Sequence, residues 1–248
     1  MPFHTSAFFV ALGNTANTNV PPIQDGIIAI ANSHLLPQRD YDILFAAISA
    51  VTLTRARMVS PTNRQITLPF IRPINAALLP PTDPNVADYR ENPFRINALE
   101  EFSIEATDSA AGPNNCTAIV GLAESFEPVP RGNIFTLRGT SVTAAVANVW
   151  TQLATTWDDA LPAGQYAVVG MSAIATNQLA ARLIFENQVA RPGSLGVVAE
   201  ANRNHAMFVK GGLGTWGRFM STRMPVVEVL NNGTDNAHTV YLDLIRLR

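Results

Sequence analysis

Cysteine is almost missing from this 248-residue chain, with Cys116 the only one. No intrachain disulfide can form, so nothing in the sequence implies an oxidising compartment. Lysine is equally scarce: Lys210 stands alone, and the remaining cations are scattered arginines. Charged residues make up 15% of the chain and the net charge is -2. Proteins that hold nucleic acid through a tail neutralise phosphate with clustered Lys and Arg. No such cluster exists here, so neither tail-driven packaging nor sequence-specific nucleic-acid binding is expected. No stretch reaches the roughly 18 to 20 apolar residues of a membrane span. The opening MPFHTSAFFVALGN lacks the positive n-region and long apolar h-region of a secretory signal. The expectation is a soluble protein made in the cytoplasm and not exported through a cleaved signal.

Apolar residues, by contrast, are plentiful at 47%. A chain this apolar buries a sizeable core, and its low charge suggests that partners cover part of its surface. The length suits one large β domain or two domains of about 120 residues each.

An internal echo favours two. LPQRDYDILFAAISA (36–50) and LPAGQYAVVGMSA (161–173) are variants of one phrase. Leu36, Pro37 and Tyr41 match Leu161, Pro162 and Tyr166 at an offset of 125, and Ser49-Ala50 matches Ser172-Ala173 at 123. Upstream, Phe9 and Gly13 match Phe135 and Gly139 at 126. Downstream, Glu105 matches Glu228 at 123, while Asn114, Thr117 and Leu122 match Asn236, Thr239 and Leu244 at 122. An Arg-Pro pair (Arg72-Pro73, Arg191-Pro192) recurs at 119 and weighs less. Collinear landmarks with a slowly drifting offset read as a tandem repeat whose insertions lie in loops. The halves are 1–128 and 129–248, joined by Glu124–Asn133, whose two prolines and glycine suit a short, stiff linker.

Within each half the periodicity is that of strands. Phe102 and Ile104 alternate with Ser103 and Glu105; Val240, Leu242 and Leu244 alternate with Tyr241, Asp243 and Ile245. Turn signals recur at Gly112–Asn115, Asn231–Thr234, Arg191–Gly193 and Pro80–Pro84. Val142–Leu153 suits a helix or a strand equally. The expected fold is all-β: two tandem jelly-roll β-sandwich barrels with few short helices. The Pro-rich stretch Leu78–Pro93 is a candidate functional loop.

Catalytic patterns are wanting. His4, His34, His205 and His238 show no metal-ligand spacing. Cys116 has no catalytic signature and reads as a buried thiol. Three acidic pairs, Glu100-Glu101, Asp158-Asp159 and Asp40/Asp42, bring glycoside hydrolysis to mind, which needs two carboxylates about 5 to 10 Å apart in a cleft. Adjacent residues on a strand face opposite ways, so only Asp40 and Asp42 are able to share a face. KGGLGTWG (210–217) resembles a phosphate loop loosely and reads as a strand connection. The N-x-T sequons at Asn115 and Asn232 read as turn asparagines. Trp150, Trp157 and Trp216 all fall in the second half and read as core residues. No catalytic, cofactor-binding or metal-ligating residue is assigned, no cofactor is expected, and the chain does not read as an enzyme.

The duplicated sandwich, with its LPxxxY phrase, its Ser-Ala landmark and its N-x-x-T strand start (Asn114–Thr117, Asn236–Thr239), resembles the double jelly-roll major capsid proteins. These build tailless icosahedral viruses, bacteriophages among them, that often enclose a membrane. The resemblance implies a virion structural protein that forms a homotrimer, with six barrels making a pseudo-hexagonal tile of the capsid lattice. It also implies minor capsid or penton proteins as partners, possible contact with an internal membrane, and synthesis in the host cytoplasm. At 248 residues, short loops and no tall towers are expected, with any membrane contact coming from barrel ends or from Met1–Ser6. The alternative is a tandem β-sandwich that binds carbohydrate or a receptor from a phage spike; exposed aromatics on one face would distinguish it.

Overall fold

The computed structural model describes residues 3–49, 52–62, 70–71, 73–74, 87–123, 127–196 and 213–247. Arg72, His205, Lys210, Ala50, positions 78–86 of the Pro-rich stretch and positions 124–126 of the joint lie outside the described residues. The chain divides into two compact units, Ser6–Glu124 and Ser125–Arg248, with Met1–Thr5 counted in the latter. They are called here the first and second units.

The strands of the first stretch are β1 (His4–Leu12), β2 (Thr15–Val20), β3 (Ala29–Ala31), β4 (His34–Leu36), β5 (Tyr41–Ser49) and β6 (Leu53–Val59). They continue as β7 (Phe70–Ile71), β8 (Pro73–Ile74), β9 (Ala87–Asp88), β10 (Phe94–Ile96), β11 (Ser103–Asp108) and β12 (Asn114–Ala123). One sheet runs β1-β12-β5-β10, with β8 and β9 also paired to β5, and the other runs β2-β11-β6-β7. The second unit holds β13 (Ile134–Ser141), β14 (Thr151–Leu153), β15 (Thr156–Trp157), β16 (Gln165–Ile174) and β17 (Gln178–Ile184). It ends with β18 (Gly193–Leu195), β19 (Gly217–Met220), β20 (Val226–Asn231) and β21 (His238–Arg246). Its sheets run β13-β21-β16-β19, with β15 beside β13, and β14-β20-β17-β18.

The two orders are the same. With the short extra strands set aside, eight principal strands numbered along each unit give 1-8-3-6 in one sheet and 2-7-4-5 in the other. That alternation is the jelly roll, two Greek keys folded into a sandwich. The protein is therefore all-β, and no helix occurs among the described residues. The few short helices expected from the sequence are not found there. Val142–Leu153 runs as an irregular loop into β14, because its backbone bonds to the β20–β21 turn rather than to itself.

Alternation sets the core. In the first unit Ile104 and Ala106 of β11, Ala56 and Met58 of β6, and Ala118 and Val120 of β12 all join one buried cluster, with Phe8 edge-on to Phe102 at 6.1 Å. In the second unit Val227 and Val229 of β20 and Val240, Leu242 and Leu244 of β21 are fully buried.

The repeat extends to an irregularity. Between β5 and β12, Gly121 pairs with Phe45 and Leu122 with Ile43, so Leu44 is skipped. Between β16 and β21, Asp243 pairs with Gly170 and Leu244 with Val168, so Val169 is skipped. Leu44 and Val169 lie 125 apart, the offset of the two tyrosines. A bulge at the same place in both copies bends the same strand in each. The bulky and the small partner have changed sides: Gly121 faces Phe45 in one copy, Asp243 faces Gly170 in the other. A Cβ on Gly121 would lie 2.0 Å from the Phe45 ring.

These pairings also correct one landmark. Thr117 pairs with Ser49, and its counterpart Thr239 pairs with Ile174, so Ser49 corresponds to Ile174 and not to Ser172. A slip of two residues keeps every side chain on its own face, so alternation is blind to it.

Gly121→Ala is expected to destabilise the protein by about 1 to 3 kcal/mol through overpacking against Phe45. Adding Phe45→Leu should recover part of the loss. Urea unfolding of the two variants checks both points.

Candidate functional site

Within the acidic pairs singled out by the sequence, Glu100, Glu101, Asp40 and Asp158 serve as hydrogen-bond acceptors. Glu100 takes the N–H groups of Thr62 (2.8 Å) and Asn97 (3.1 Å) and closes a loop; neighbouring Glu101 takes the Asn32 amide. Burial pushes the Glu100 carboxyl up, but the Thr62, Asn97 and Ser60 donors outweigh it and leave it below the usual range. Asp40 and Asp42 do share a face. Both reach Arg95, at 2.8 and 3.5 Å. The Arg95 hydrogen bond, then the Ala98 N–H, lowers the Asp40 carboxyl, the opposite of what a general acid needs. Asp158 pairs with Arg138 at 2.8 Å on the surface.

Cys116 is buried on β12; burial first, then the nearby Asp108 charge, pushes its thiol up to about 12, so it stays protonated at neutral pH. Among the described residues, no three His, Cys, Asp or Glu side chains gather as a metal site would require. Trp216 is wholly buried with Phe3 edge-on at 5.2 Å, and Trp150 and Trp157 are half-buried. An exposed tryptophan platform for sugar is therefore lacking among the described residues. A surface groove of about 400 Å³ lies in the second unit over Phe185 and Phe219. Its rims are occupied by the ion pairs Arg218–Glu127 and Arg223–Glu186.

The most organised polar feature is one that the repeat carries twice. In the first unit Arg57 of β6 reaches across to Glu105 of β11 at 2.6 Å. In the second, Arg182 of β17 reaches Glu228 of β20 at 2.7 Å. In each case the two residues are direct cross-strand neighbours. The glutamates were matched in the sequence; the arginines were not. Their signal was Ala56-Arg57-Met58-Val59 against Ala181-Arg182-Leu183-Ile184, again at 125.

The two pairs are used differently. Arg57 and Glu105 are 24% and 19% exposed, on a polar face where Arg55 also donates to Asn17. Arg182 and Glu228 are 1% and 5% exposed. Glu228 there takes a second cation, Arg191, at 2.9 Å, and the Arg182 guanidinium lies 4.0 Å from the centre of the Trp150 ring. Burial makes that cluster all-or-nothing: a desolvated guanidinium is tolerable only while its carboxylate and ring remain.

Each unit also ties its turns together around an aspartate at one end. In the first, Asp108 accepts from Thr52, the Ala110 N–H and Asn114. In the second, Asp235 accepts from the Asn177 N–H and side chain and from Asn231, while its own carbonyl takes the Ala145 N–H. His238 is buried beside that turn. Burial holds its imidazole below the usual range, against the opposing pull of Asp235 and the Thr143 backbone. Burial raises Asp108, but the donors around it win and leave it lowered.

No protein-family model matches the sequence, and no curated protein matches it. Among solved structures the chain is similar to the major capsid protein P2 from bacteriophage PM2, at 10% identity and a TM-score of 0.24, covering 98% of both chains. It is similar also to the STIV MCP, at 10% identity and a TM-score of 0.24, covering 97% of both.

Two measurements probe these sites. Glu228→Gln should cost about 3 to 5 kcal/mol, because it strands buried guanidinium charge. Glu105→Gln, at the same place in the other unit, should cost about 1 kcal/mol or less. Urea unfolding decides whether the difference holds. For pH, a lowered imidazole means that the unfolded chain binds the proton more readily. Stability from His238 is complete above 6.5 and falls as pH drops from there toward the depressed folded value. Asp108 and Glu100 are also lowered, so their share is complete above 3.8 and 4.5 and lost only at more acidic pH. His238→Asn should therefore flatten the stability profile just below pH 6.5 and leave the acid limb in place, as followed by melting temperature against pH.

Proposed function

We propose that this chain is a major capsid subunit, a structural protein that acts by assembling with copies of itself. The observation that carries this reading is the jelly roll made twice, with the same strand order, bulge and cross-strand ion pair in each copy. Residues 1–128 and 129–248 are then two descendants of one barrel. Three copies of a two-barrel chain present six similar outlines, which tile a shell as a hexamer would. The low charge fits a surface covered by neighbours. In this reading the protein is made in the host cytoplasm and resides in the virion. It meets penton or minor capsid proteins at the vertices and an internal membrane, where there is one, at the barrel ends.

Light scattering on the purified native protein, followed by negative-stain electron microscopy, is the test. Particles of three chains with a six-lobed outline, or closed shells, are expected. A stable monomer across the accessible concentration range overturns the proposal.

A further inference from the structure

The residues that lead into the first strand of each unit meet opposite fates. Phe3, His4 and Thr5 are buried, whereas residues 131–136 are all exposed, Ile134 at 40% and Phe135 at 39%. The difference lies along one edge of each strand. β1 has β12 on one side. On its other side the Phe9 N–H donates to the Pro21 carbonyl, and the Ala7 carbonyl takes the Ile23 N–H. Two residues before Ala7, the Thr5 N–H donates to the Arg191 carbonyl at 3.0 Å. β13 has β21 on one side. On its other side β15 pairs with Gly139 and Thr140, and the Arg138 carbonyl takes the Asp158 N–H at 2.9 Å. Two residues before Arg138, the Thr136 backbone faces the same way, because the pairing with β21 runs without a shift from Ile134 to Ser141. Among the described residues nothing pairs with that edge over 134–136. Exposed edges are ordinarily guarded by proline, lysine or a bulge, and Ile134-Phe135-Thr136 has none of these.

The chain itself shows what such an edge takes. β18 is the last strand of its sheet. The Pro192 carbonyl takes the Leu183 N–H of β17, so the Arg191 and Gly193 carbonyls face away from the sheet; they take the Thr5 N–H and the Thr5 hydroxyl. The Arg191 N–H donates to His4 Nδ1, and Phe3 closes over Trp216. The start of β1 is thus a strand added to a sheet edge. In the first unit the strand at that place is β7. It ends the matching sheet, and its pairs with β6, Ala56 with Ile71 and Arg57 with Phe70, match Ala181 with Ser194 and Arg182 with Gly193. Two strand starts and two sheet edges are present, and among the described residues one start meets one edge. We propose that residues 134–136 add to β7 of a second copy of this chain, as residues 3–5 add to β18 within one copy. This rests on the reading of the chain as a self-assembling subunit and names a contact which that reading left open. Start and edge are unlike surfaces, so the contact passes from copy to copy in one direction, and it closes on itself when three chains alternate their six units in a ring.

The experiment is hydrogen exchange by mass spectrometry on the native protein, assembled at high concentration and dissociated by dilution. Peptides that contain 131–136 and peptides that contain 70–71 should both exchange more slowly in the assembly, by about tenfold or more. An assembly that leaves 131–136 unprotected overturns the strand proposal and leaves the capsid reading standing. Protection of 131–136 with 70–71 unchanged also overturns it, because the strand then meets a different surface. A protein that never self-associates overturns both readings. A substitution gives a second measurement. Thr136→Pro removes the outward N–H, which a strand edge tolerates, and should weaken association by about fivefold to tenfold in analytical ultracentrifugation. Thr136→Val loses only the hydroxyl bond to Asp243 and should associate like the unsubstituted protein. A folded Thr136→Pro protein that associates normally overturns the proposal; if that variant does not fold, the exchange result decides alone.

Discussion

Each unit is closed by its last strand. β12 lies between β1 and β5, and β21 between β13 and β16, so the final strand of each half forms the middle of a sheet. Until it is in place, the first strand has no partner on that side and the sandwich has an open seam. Almost every stabilising pairing is thus long-range in sequence, which makes for slow but cooperative folding. The same closure puts entry beside exit: Ile134 at the start of β13 pairs with Ile245 near the end of β21. A fold whose two ends lie side by side is easily copied in tandem, because a short joint suffices to leave one copy and start the next.

Once two copies exist they are free to diverge around a fixed frame. The frame here includes the bulge that skips Leu44 and Val169, and the Arg–Glu bridge on the outer face of the second sheet. What diverges is the covering. Around Arg57 the face stays polar and partly open; around Arg182 an indole and a second arginine close over it. The same pair is therefore a modest surface contribution in one copy and a desolvated cluster in the other, where specificity and risk both rise.

Much of this frame was legible in the amino-acid order. Tyr41 and Tyr166 stand at the start of the same strand and are buried; the Tyr166 hydroxyl donates back to the Pro162 carbonyl, whereas the Pro37 carbonyl takes the Leu99 N–H and the Tyr41 hydroxyl takes Arg39. Glu105 and Glu228 were matched correctly as strand neighbours of equivalent residues. The second strand of each unit was not legible. Asn19 and Gln152 occupy equivalent places beside those glutamates, yet they are 133 apart, against 126 before and 125 after. A longer first loop in one copy is offset by the β3–β4 hairpin in the other, so the overall drift stayed small while one strand moved out of step. The candidate site was less legible than the fold. Arg182 is buried and Arg57 is not because Trp150 and Arg191, distant in sequence, close over the former, and local alternation carries no trace of them.

The first five residues carry a different consequence. Phe3 packs on Trp216, the Thr5 N–H donates to the Arg191 carbonyl, and the Thr5 hydroxyl donates to Gly193, 188 positions away. On a ribosome these residues emerge well before their partners, roughly 10 to 40 seconds apart at ordinary elongation rates. This segment must therefore stay unengaged while everything between is made, and the later unit is not complete until the segment reaches it. Removing Phe3 to Thr5 would therefore injure the unit that is made later and spare the one that directly follows them.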